Sequence, residues 1–297
     1  MTPKVLILAG PTASGKTELA IELARQFGAE IVGADSRQVY RGMPIGTAAP
    51  SSQQLAAIPH HCVGFVDPMQ RYSAARYASD AVGAIEAIHR RGNRAIVAGG
   101  TGFYLRALTG AIALAPEYDE TLRRRLAAEA RLHPPEFLHE WLAQRDRKRA
   151  AELHARDTYR VVRALEIALA GNLRAREGPL RTLASQGIEW LTVFLDVPPA
   201  ELDARIDRRS AQMLDDGLLS EAERIGELAV AASAVGYPQA LAYLRGWSTA
   251  SELRVSLQRA TKRYARRQRA WFRGERDALW LAREAVAPTV REKLGWS

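Results

Sequence analysis

Gly10-Pro11-Thr12-Ala13-Ser14-Gly15-Lys16-Thr17 decides the fold. It fills every fixed position of the phosphate-loop pattern G-x-x-x-x-G-K-[ST]. The flanks agree with it. Val5-Leu6-Ile7-Leu8 is a short apolar run that reads as a buried strand, and Glu18-Leu19-Ala20-Ile21-Glu22-Leu23-Ala24 reads as a helix. A strand, a glycine turn and a helix N-terminus gather backbone N–H groups around one point, and that point attracts an anion of phosphate type. Lys16 can reach the outer phosphate and Thr17 can hold Mg²⁺. The loop specifies a phosphate but neither its carrier nor its fate.

The alternation continues outward. Glu30-Ile31-Val32-Gly33 reads as a second strand ending at Ala34-Asp35-Ser36, and Cys62 to Val66 as a third, closed by Asp67-Pro68. Ser73 has the character of an N-cap for a helix running towards Arg90. Arg94-Ala95-Ile96-Val97-Ala98 is a further buried strand, ending in Gly99-Gly100-Thr101-Gly102, and Phe103 to Leu108 starts a helix. This is a parallel α/β pattern, with ligands expected at the carboxyl ends of the strands. From Glu117 to Gln186 the periodicity is helical without a clear strand, broken at His133-Pro134-Pro135. Strand character returns at Trp190 to Asp196, helices follow from Pro199, and Leu279-Trp280-Leu281 reads as a last short strand. The expected fold is an α/β, P-loop NTPase-like parallel sheet flanked by helices. Residues 1–116 and 187–297 form its core domain, and residues 117–186 form a helical insertion domain.

At 297 residues and 47% hydrophobic content, the chain can bury a substantial core. The one cysteine, Cys62, excludes a disulfide framework or a cysteine zinc site and reads as a small buried residue. No apolar run approaches a membrane span, and the chain enters its first strand at Lys4 without a signal-peptide pattern, so a cytoplasmic protein is expected. The formal net charge is +9. A small-molecule kinase has no need of that excess, whereas a nucleic-acid binder releases counterions with each phosphate it neutralises.

Asp35 ends the second strand where it can face the phosphate loop, with polar neighbours Ser36, Arg37, Gln38 and Tyr40. A carboxylate there can be a metal ligand, a sugar contact or a proton acceptor, or simply a turn residue. Gly99-Gly100-Thr101-Gly102 repeats the strand–glycine–helix logic and can present N–H groups and the Thr101 hydroxyl to a ligand, or serve only as a tight turn. Phosphate-loop hydrolases often end a strand with an Asp that helps hold Mg²⁺. The strand ending at Ala98 carries none, and Asp196 comes late in the chain. Arg205, Arg208 and Arg209 lie in a helix starting near Pro199; the planar guanidinium suits pyrophosphate, and a solvated face explains each one equally well.

The stretch from Ser251 to Phe272 reads as a strongly basic helix. Arg259, Lys262, Arg263, Arg266, Arg267, Arg269 and Arg273 fall within about half its circumference at roughly 100° per residue, interleaved with Tyr264, Trp271 and Phe272. A basic face of this kind is the footprint of a nucleic-acid backbone. In the insertion, Tyr159, Arg160 and Arg163 share a helical turn that can stack on bases and grip phosphates, although Tyr159 equally suits a core.

Together these segments resemble the tRNA dimethylallyltransferases, also called tRNA isopentenyltransferases, of the bacterial type. The resemblance runs over most of the chain. It rests on the phosphate loop, on the block from Asp35 to Thr47, and on His60-His61 before Asp67-Pro68. It continues through Gly99 to Arg106, Tyr159 to Glu166, Ala260 to Gln268 and Trp271-Phe272-Arg273. Two positions depart from the family: Ala49 and Pro238 stand where it often has Lys and Arg, which removes two cations that the resemblance would place near RNA or pyrophosphate.

The resemblance implies transfer of a dimethylallyl group from dimethylallyl diphosphate to N6 of the adenosine 3′ of the anticodon in tRNA, with release of diphosphate. It implies that Gly10 to Thr17, with Arg205 and Arg209, bind the diphosphate and its Mg²⁺. Asp35 would take the N6 proton, and Thr101 would sit where nucleophile and leaving group meet. Ser36, Arg37, Gln38, Arg123, Tyr159, Arg160, Val161, Val162, Arg163, Arg263 and Arg267 would contact the anticodon stem-loop, on a monomer. Three other readings stay open: an ATP-binding small-molecule kinase, a transferase acting on free adenine nucleotides, and a non-catalytic RNA-binding protein.

Overall fold

The computed structural model describes residues 3–112, 114, 119–170 and 180–297. Six strands form one sheet: β1 (Lys4–Ala9), β2 (Ala29–Gly33), β3 (His60–His61), β4 (Arg94–Gly99), β5 (Glu189–Leu195) and β6 (Leu279–Leu281). Their order is β3-β2-β4-β1-β5-β6, and every pairing is parallel. Val5 lies beside Ala95 on one side and Trp190 on the other. From Val5 to Ala9 no residue is more than 1% exposed, the continuous apolar run of a central strand covered on both faces.

The helices are α1 (Lys16–Phe27), α2 (Ser52–Ala57), α3 (Ala74–Arg90), α4 (Gly102–Thr109), α5 (Glu120–Leu132), α6 (Pro135–Arg145), α7 (Arg147–Ala151), α8 (Thr158–Ala170), α9 (Pro199–Asp215), α10 (Leu218–Ile225), α11 (Tyr237–Leu244), α12 (Ala250–Phe272) and α13 (Arg283–Leu294). Local chemistry sets several starts. Ser73 Oγ accepts the Arg76 N–H, capping α3 as its position predicts. Thr249 and Glu252 form a reciprocal capping box that starts the 23-residue α12. One large core packs Leu19, Leu23 and Phe27 of α1 and Val286 and Val290 of α13 against Leu6, Leu8, Ile31 and Ile96 of the sheet.

The chain divides into two compact units, Met1–Ile112 with Leu180–Ser297, and Ala113–Pro179. The expected boundary between Pro116 and Glu117 lies outside the described residues, as does the expected helical run over 171–179. The chain re-enters the first unit at Leu180 rather than at Gly187. The reason is local: the Leu183 N–H donates to Leu108 O at 2.8 Å, Arg181 pairs with Glu86, and Leu183 is fully buried. The second unit has its own core of Leu126, Leu138, Leu142, Val161, Val162 and Leu165. The fully buried Glu166 accepts from Arg123 at 3.1 Å, Arg163 at 2.7 Å and the Asp119 N–H at 2.8 Å.

The third strand differs from expectation. It is His60–His61, not Cys62 to Val66. Cys62 and Gly64 both adopt positive φ, 59° and 61°, which turns the chain out of the sheet. Val66 returns only for an isolated bridge to Tyr40.

Glu30 pins this edge of the sheet. Its buried carboxylate accepts from Arg91 Nη2 at 2.6 Å, Asn93 Nδ2 at 2.8 Å and His61 Nε2 at 2.7 Å. Burial pushes its pKa up, but these hydrogen bonds outweigh burial and hold the carboxyl down at about 2. A depressed carboxyl pKa stabilises the fold above the ordinary carboxylate range, and that contribution is lost as pH falls from about 4.5 towards about 2. Glu30→Ala leaves three donors around an empty site and should lower stability by about 2–3 kcal/mol in urea melts at neutral pH. The deficit should shrink as the melts are repeated below pH ~4.

Candidate active site

The phosphate loop joins β1 to α1 with two residues in the left-handed region, Ala13 at φ 64° and Gly15 at φ 85°. Gly10, Pro11 and Ser14 shape the loop from behind. Thr12, Ala13, Gly15, Lys16 and Thr17 line a cavity of about 820 Å³. Lys16 Nζ donates to Pro11 O at 3.3 Å. Burial lowers its pKa to about 8; Arg209 pushes the same way, while Asp35 and Glu18 pull it back. A cation held this close to neutrality gains from a bound anion.

Helix α9 supplies two further cations. Leu202, Ile206 and Ser210 bury one stripe of it, and Arg205 and Arg209, one turn apart beside that stripe, reach the loop. Arg205 Nη1 donates to Ser14 O at 3.0 Å, and Arg209 donates to the Thr12 hydroxyl. Arg208 lines the same cavity from an exposed position. Burial lowers the Arg209 pKa, against the pull of Asp35 and Glu18.

The carboxyl ends of β2 and β4 crowd against the loop. A Cβ on Gly99 would lie 2.2 Å from Ala34 O, and one on Gly100 would lie 2.9 Å from Gly10 O. Glycine is required there because backbone meets backbone. Asp35 follows directly. Its Oδ1 accepts the N–H of Arg37 at 2.8 Å and of Gln38 at 3.4 Å. Among the described residues Oδ2 carries no hydrogen bond. Asp35 lines the large cavity and also a second one of about 210 Å³, shared with Ser36, Arg37, Leu257, Tyr264 and Arg267. Thr12, Thr47 and Arg209 line both as well, so the two spaces meet at Asp35.

Thr101 Oγ1 accepts the Ser36 N–H at 3.0 Å and so braces the turn that carries Asp35. Several other expectations are corrected. Val161 and Val162, 1% and 5% exposed, face the core of the second unit, and Arg123 is buried against Glu166. These three side chains support a surface rather than form one. Tyr159 is 63% exposed beside the Arg123 guanidinium, and Arg160 is exposed with Asp157 at 3.5 Å. Arg163 is turned inward onto Glu166. The basic face of α12 is narrower than its sequence suggests: Lys262 pairs with Asp207 and Arg269 with Asp196. Arg259, Arg263 and Arg266 are exposed and make no ion pair among the described residues. Asp196 pairs with Arg269 at 3.0 Å and is not among the residues that line the large cavity. Of the two departures, Ala49 lines the large cavity and Pro238 sits in the first turn of α11.

Two residues had no role assigned from sequence. Gln268, at 6% exposure, links the Thr12 N–H to Gly100 O. Glu221, at 1% exposure, accepts from the backbone of Ile45 at 2.9 Å and Gly46 at 2.7 Å and from the Tyr237 hydroxyl at 2.7 Å, holding the turn that carries Thr47. A signal for Glu221 was present: it falls between Leu218 and Ala222 on the apolar side of α10, where a carboxylate needs partners.

A phosphate loop, three arginines and one tethered carboxylate at the carboxyl edge of a parallel sheet define a phosphate-loop α/β transferase. Residues 3–61 match the family described as isopentenyl transferase, and residues 38–275 match that described as IPP transferase. The chain belongs to the IPP transferase family. It is 44% identical over 298 residues to the tRNA dimethylallyltransferase of Anaeromyxobacter dehalogenans (strain 2CP-C), covering 98% of this chain and all of that one. The Geobacter sulfurreducens tRNA dimethylallyltransferase is 40% identical, covering 94% and 91%. Among solved structures, the full-length tRNA isopentenylpyrophosphate transferase of Bacillus halodurans matches with a TM-score of 0.68 at 32% identity, covering 99% of each chain. A eukaryotic dimethylallyltransferase acting on tRNA matches with a TM-score of 0.72 at 25% identity, covering 99% of this chain and 77% of the other.

The Lys16 environment sets a pH dependence. Its ammonium is present below pH ~8 and lost above it, so affinity for inorganic diphosphate should fall by about tenfold on passing from pH ~7 to pH ~9 by calorimetry. Lys16→Arg, whose guanidinium stays charged, should not show that loss.

Proposed function

We propose that this protein transfers a dimethylallyl group from dimethylallyl diphosphate to N6 of the adenosine just 3′ of the anticodon in tRNA, releasing diphosphate. The observation that carries this reading is the position of Asp35, with its unbound Oδ2 at the meeting of two cavities. The larger cavity holds Lys16, Arg205, Arg208 and Arg209 and accepts the diphosphate. The smaller, between Tyr264, Leu257 and Arg267, accepts the flipped adenine.

The reaction breaks an allylic C–O bond and leaves growing negative charge on the diphosphate. Lys16 and the guanidinium groups of Arg205 and Arg209 stabilise that charge as it forms. Thr17, in the first turn of α1 and open to the same cavity, would hold Mg²⁺, a hard cation that takes oxygen ligands and needs few of them from the protein. When bound, the ion spreads the charge of the leaving group.

The adenine amine is a weak nucleophile because its lone pair is delocalised into the ring. Asp35 orients the amine and takes its proton as the C–N bond forms, a contribution of about 10²–10⁴-fold. Thr101, through Ser36, keeps the carboxylate turned to the junction of the cavities. Ser36, Arg37 and Gln38 follow in the same turn and meet the nucleotide.

The exposed arginines Arg259, Arg263 and Arg266 of α12, with Arg267, hold the RNA backbone. The second unit contributes the exposed ring of Tyr159 and the guanidinium of Arg160. No helix among the described residues is long and apolar enough to cross a membrane. The protein works on tRNA in the cytoplasm, as a monomer.

The deciding assay mixes the protein with Mg²⁺, labelled dimethylallyl diphosphate and unmodified tRNA, with AMP and a tRNA lacking the target adenosine alongside. Label on the first tRNA alone is the expected result. Label on AMP, or ATP consumption without RNA, would replace the reading. Asp35→Asn should lose about 10²–10⁴-fold in rate while keeping its tRNA affinity. An unchanged rate would remove the proton acceptor. Arg263→Ala should weaken tRNA binding and reduce the slope of log affinity against log salt by about 1. An unaltered slope would take Arg263 off the RNA surface.

A further inference from the structure

Three side chains on one face of α12 meet the glycine turn after β4. Tyr264 faces Thr101, Gln268 bonds Gly100, and the Trp271 indole lies where a Cβ on Gly102 would fall, 2.0 Å from its Nε1. Their spacing of four and three residues keeps all three on one side of the helix. Gln268 alone continues past the turn to the phosphate loop. Its Oε1 accepts the Thr12 N–H at 2.8 Å, and its Nε2 donates to Gly100 O at 3.0 Å.

We infer that Gln268 is a positioning residue for the diphosphate site, whose amide fixes the direction of Thr12 and, through it, the guanidinium of Arg209. Three features carry this. First, the Thr12 N–H points away from the cavity into the amide and is not a donor to the anion. Its side chain, which takes the hydrogen bond from Arg209, is what faces the anion. Second, the space for the amide depends on a missing side chain: a Cβ on Gly100 would lie 2.3 Å from Nε2. Third, the contact needs an acceptor and a donor on one planar group. An ionised glutamate only accepts, a lysine only donates, and an asparagine is one methylene short. With Gln268 removed, Thr12 has no tether on its backbone side. An error of about 1 Å in a positioned group costs on the order of 10²-fold.

The inference rests on the phosphate loop holding a diphosphate in the proposed reaction, so it is tested in two arms. In the first, inorganic diphosphate with Mg²⁺ is titrated by calorimetry into wild type, Gln268→Glu and Gln268→Met, each checked for a cooperative melt. Gln268→Met should bind at least about tenfold more weakly at every pH. Gln268→Glu should match it near pH ~8, where its carboxylate only accepts, and recover towards wild type measured at the same pH near pH ~4, where a carboxyl is largely protonated and again offers one donor and one acceptor. A merely structural role gives no such recovery. If both variants melt cooperatively and bind diphosphate within about twofold of wild type, or lose affinity equally at both pH values, the inference is overturned. The second arm measures transfer to tRNA and tRNA affinity. Wild type that binds diphosphate but transfers nothing overturns the proposed reaction and leaves the first arm to decide Gln268. Wild type that transfers, beside variants with unchanged KM for dimethylallyl diphosphate, overturns the inference and leaves the reaction standing. Transfer with a raised KM and unchanged tRNA affinity supports it.

Discussion

The ends of β1, β2 and β4 approach so closely that no side chain fits between them. Ala34 O accepts the Thr101 N–H at 3.2 Å, the Ala34 N–H donates to Ala98 O at 2.8 Å, and Gly99 and Gly100 pass against Ala34 and Gly10 with no room for a Cβ. This backbone contact is what places Asp35 beside the phosphate loop. It exists because β4 lies between β1 and β2 in a parallel sheet. The chain leaves β1 for β2 in one direction and β4 for β5 in the other, and the crevice opens where those directions diverge. The polar groups of the site hang from these strand ends and from α1, with the arginines of α9 and α12 reaching in from later in the chain.

Around that contact the positive charges face one cavity. Lys16, Arg205 and Arg209 converge on one loop, and burial lowers the Lys16 pKa to about 8, so a bound anion stabilises its ammonium. Asp35 stands at the edge of this field with one oxygen tethered by backbone N–H groups, which keeps a carboxylate available without a cation of its own. The division suits a reaction in which one partner leaves as diphosphate and the other gives up a proton.

The basic character of the chain separates into two kinds. Lys262 and Arg269 of α12 are fasteners, paired with Asp207 and Asp196 and turned towards the fold. Arg259, Arg263 and Arg266 point to solvent. In the second unit the same sorting puts Arg123 and Arg163 on the buried Glu166 and leaves Tyr159 outside. A helical wheel shows where arginines lie around an axis, but it does not show which side meets a carboxylate from another element.

By itself the sequence determined the features that depend on neighbours along the chain. These are the phosphate loop with its flanking strand and helix, the Ser73 cap, the helical character from Glu120 to Leu132 and the parallel α/β class. Each is written in residues a few positions apart, where periodicity and capping act. Only the tertiary structure decided features that depend on distant pairs. Gln268 meets Thr12 across 256 positions and Glu221 meets Ile45 across 176, and no local pattern carries such a pairing. The same holds for Thr101, drawn to the Asp35 turn by Ser36, and for Val161 and Val162, drawn into a core by Leu126 and Leu138. The third strand shifted to His60–His61 because positive φ at Cys62 depends on how the chain leaves the sheet, which its β-favouring neighbours do not encode.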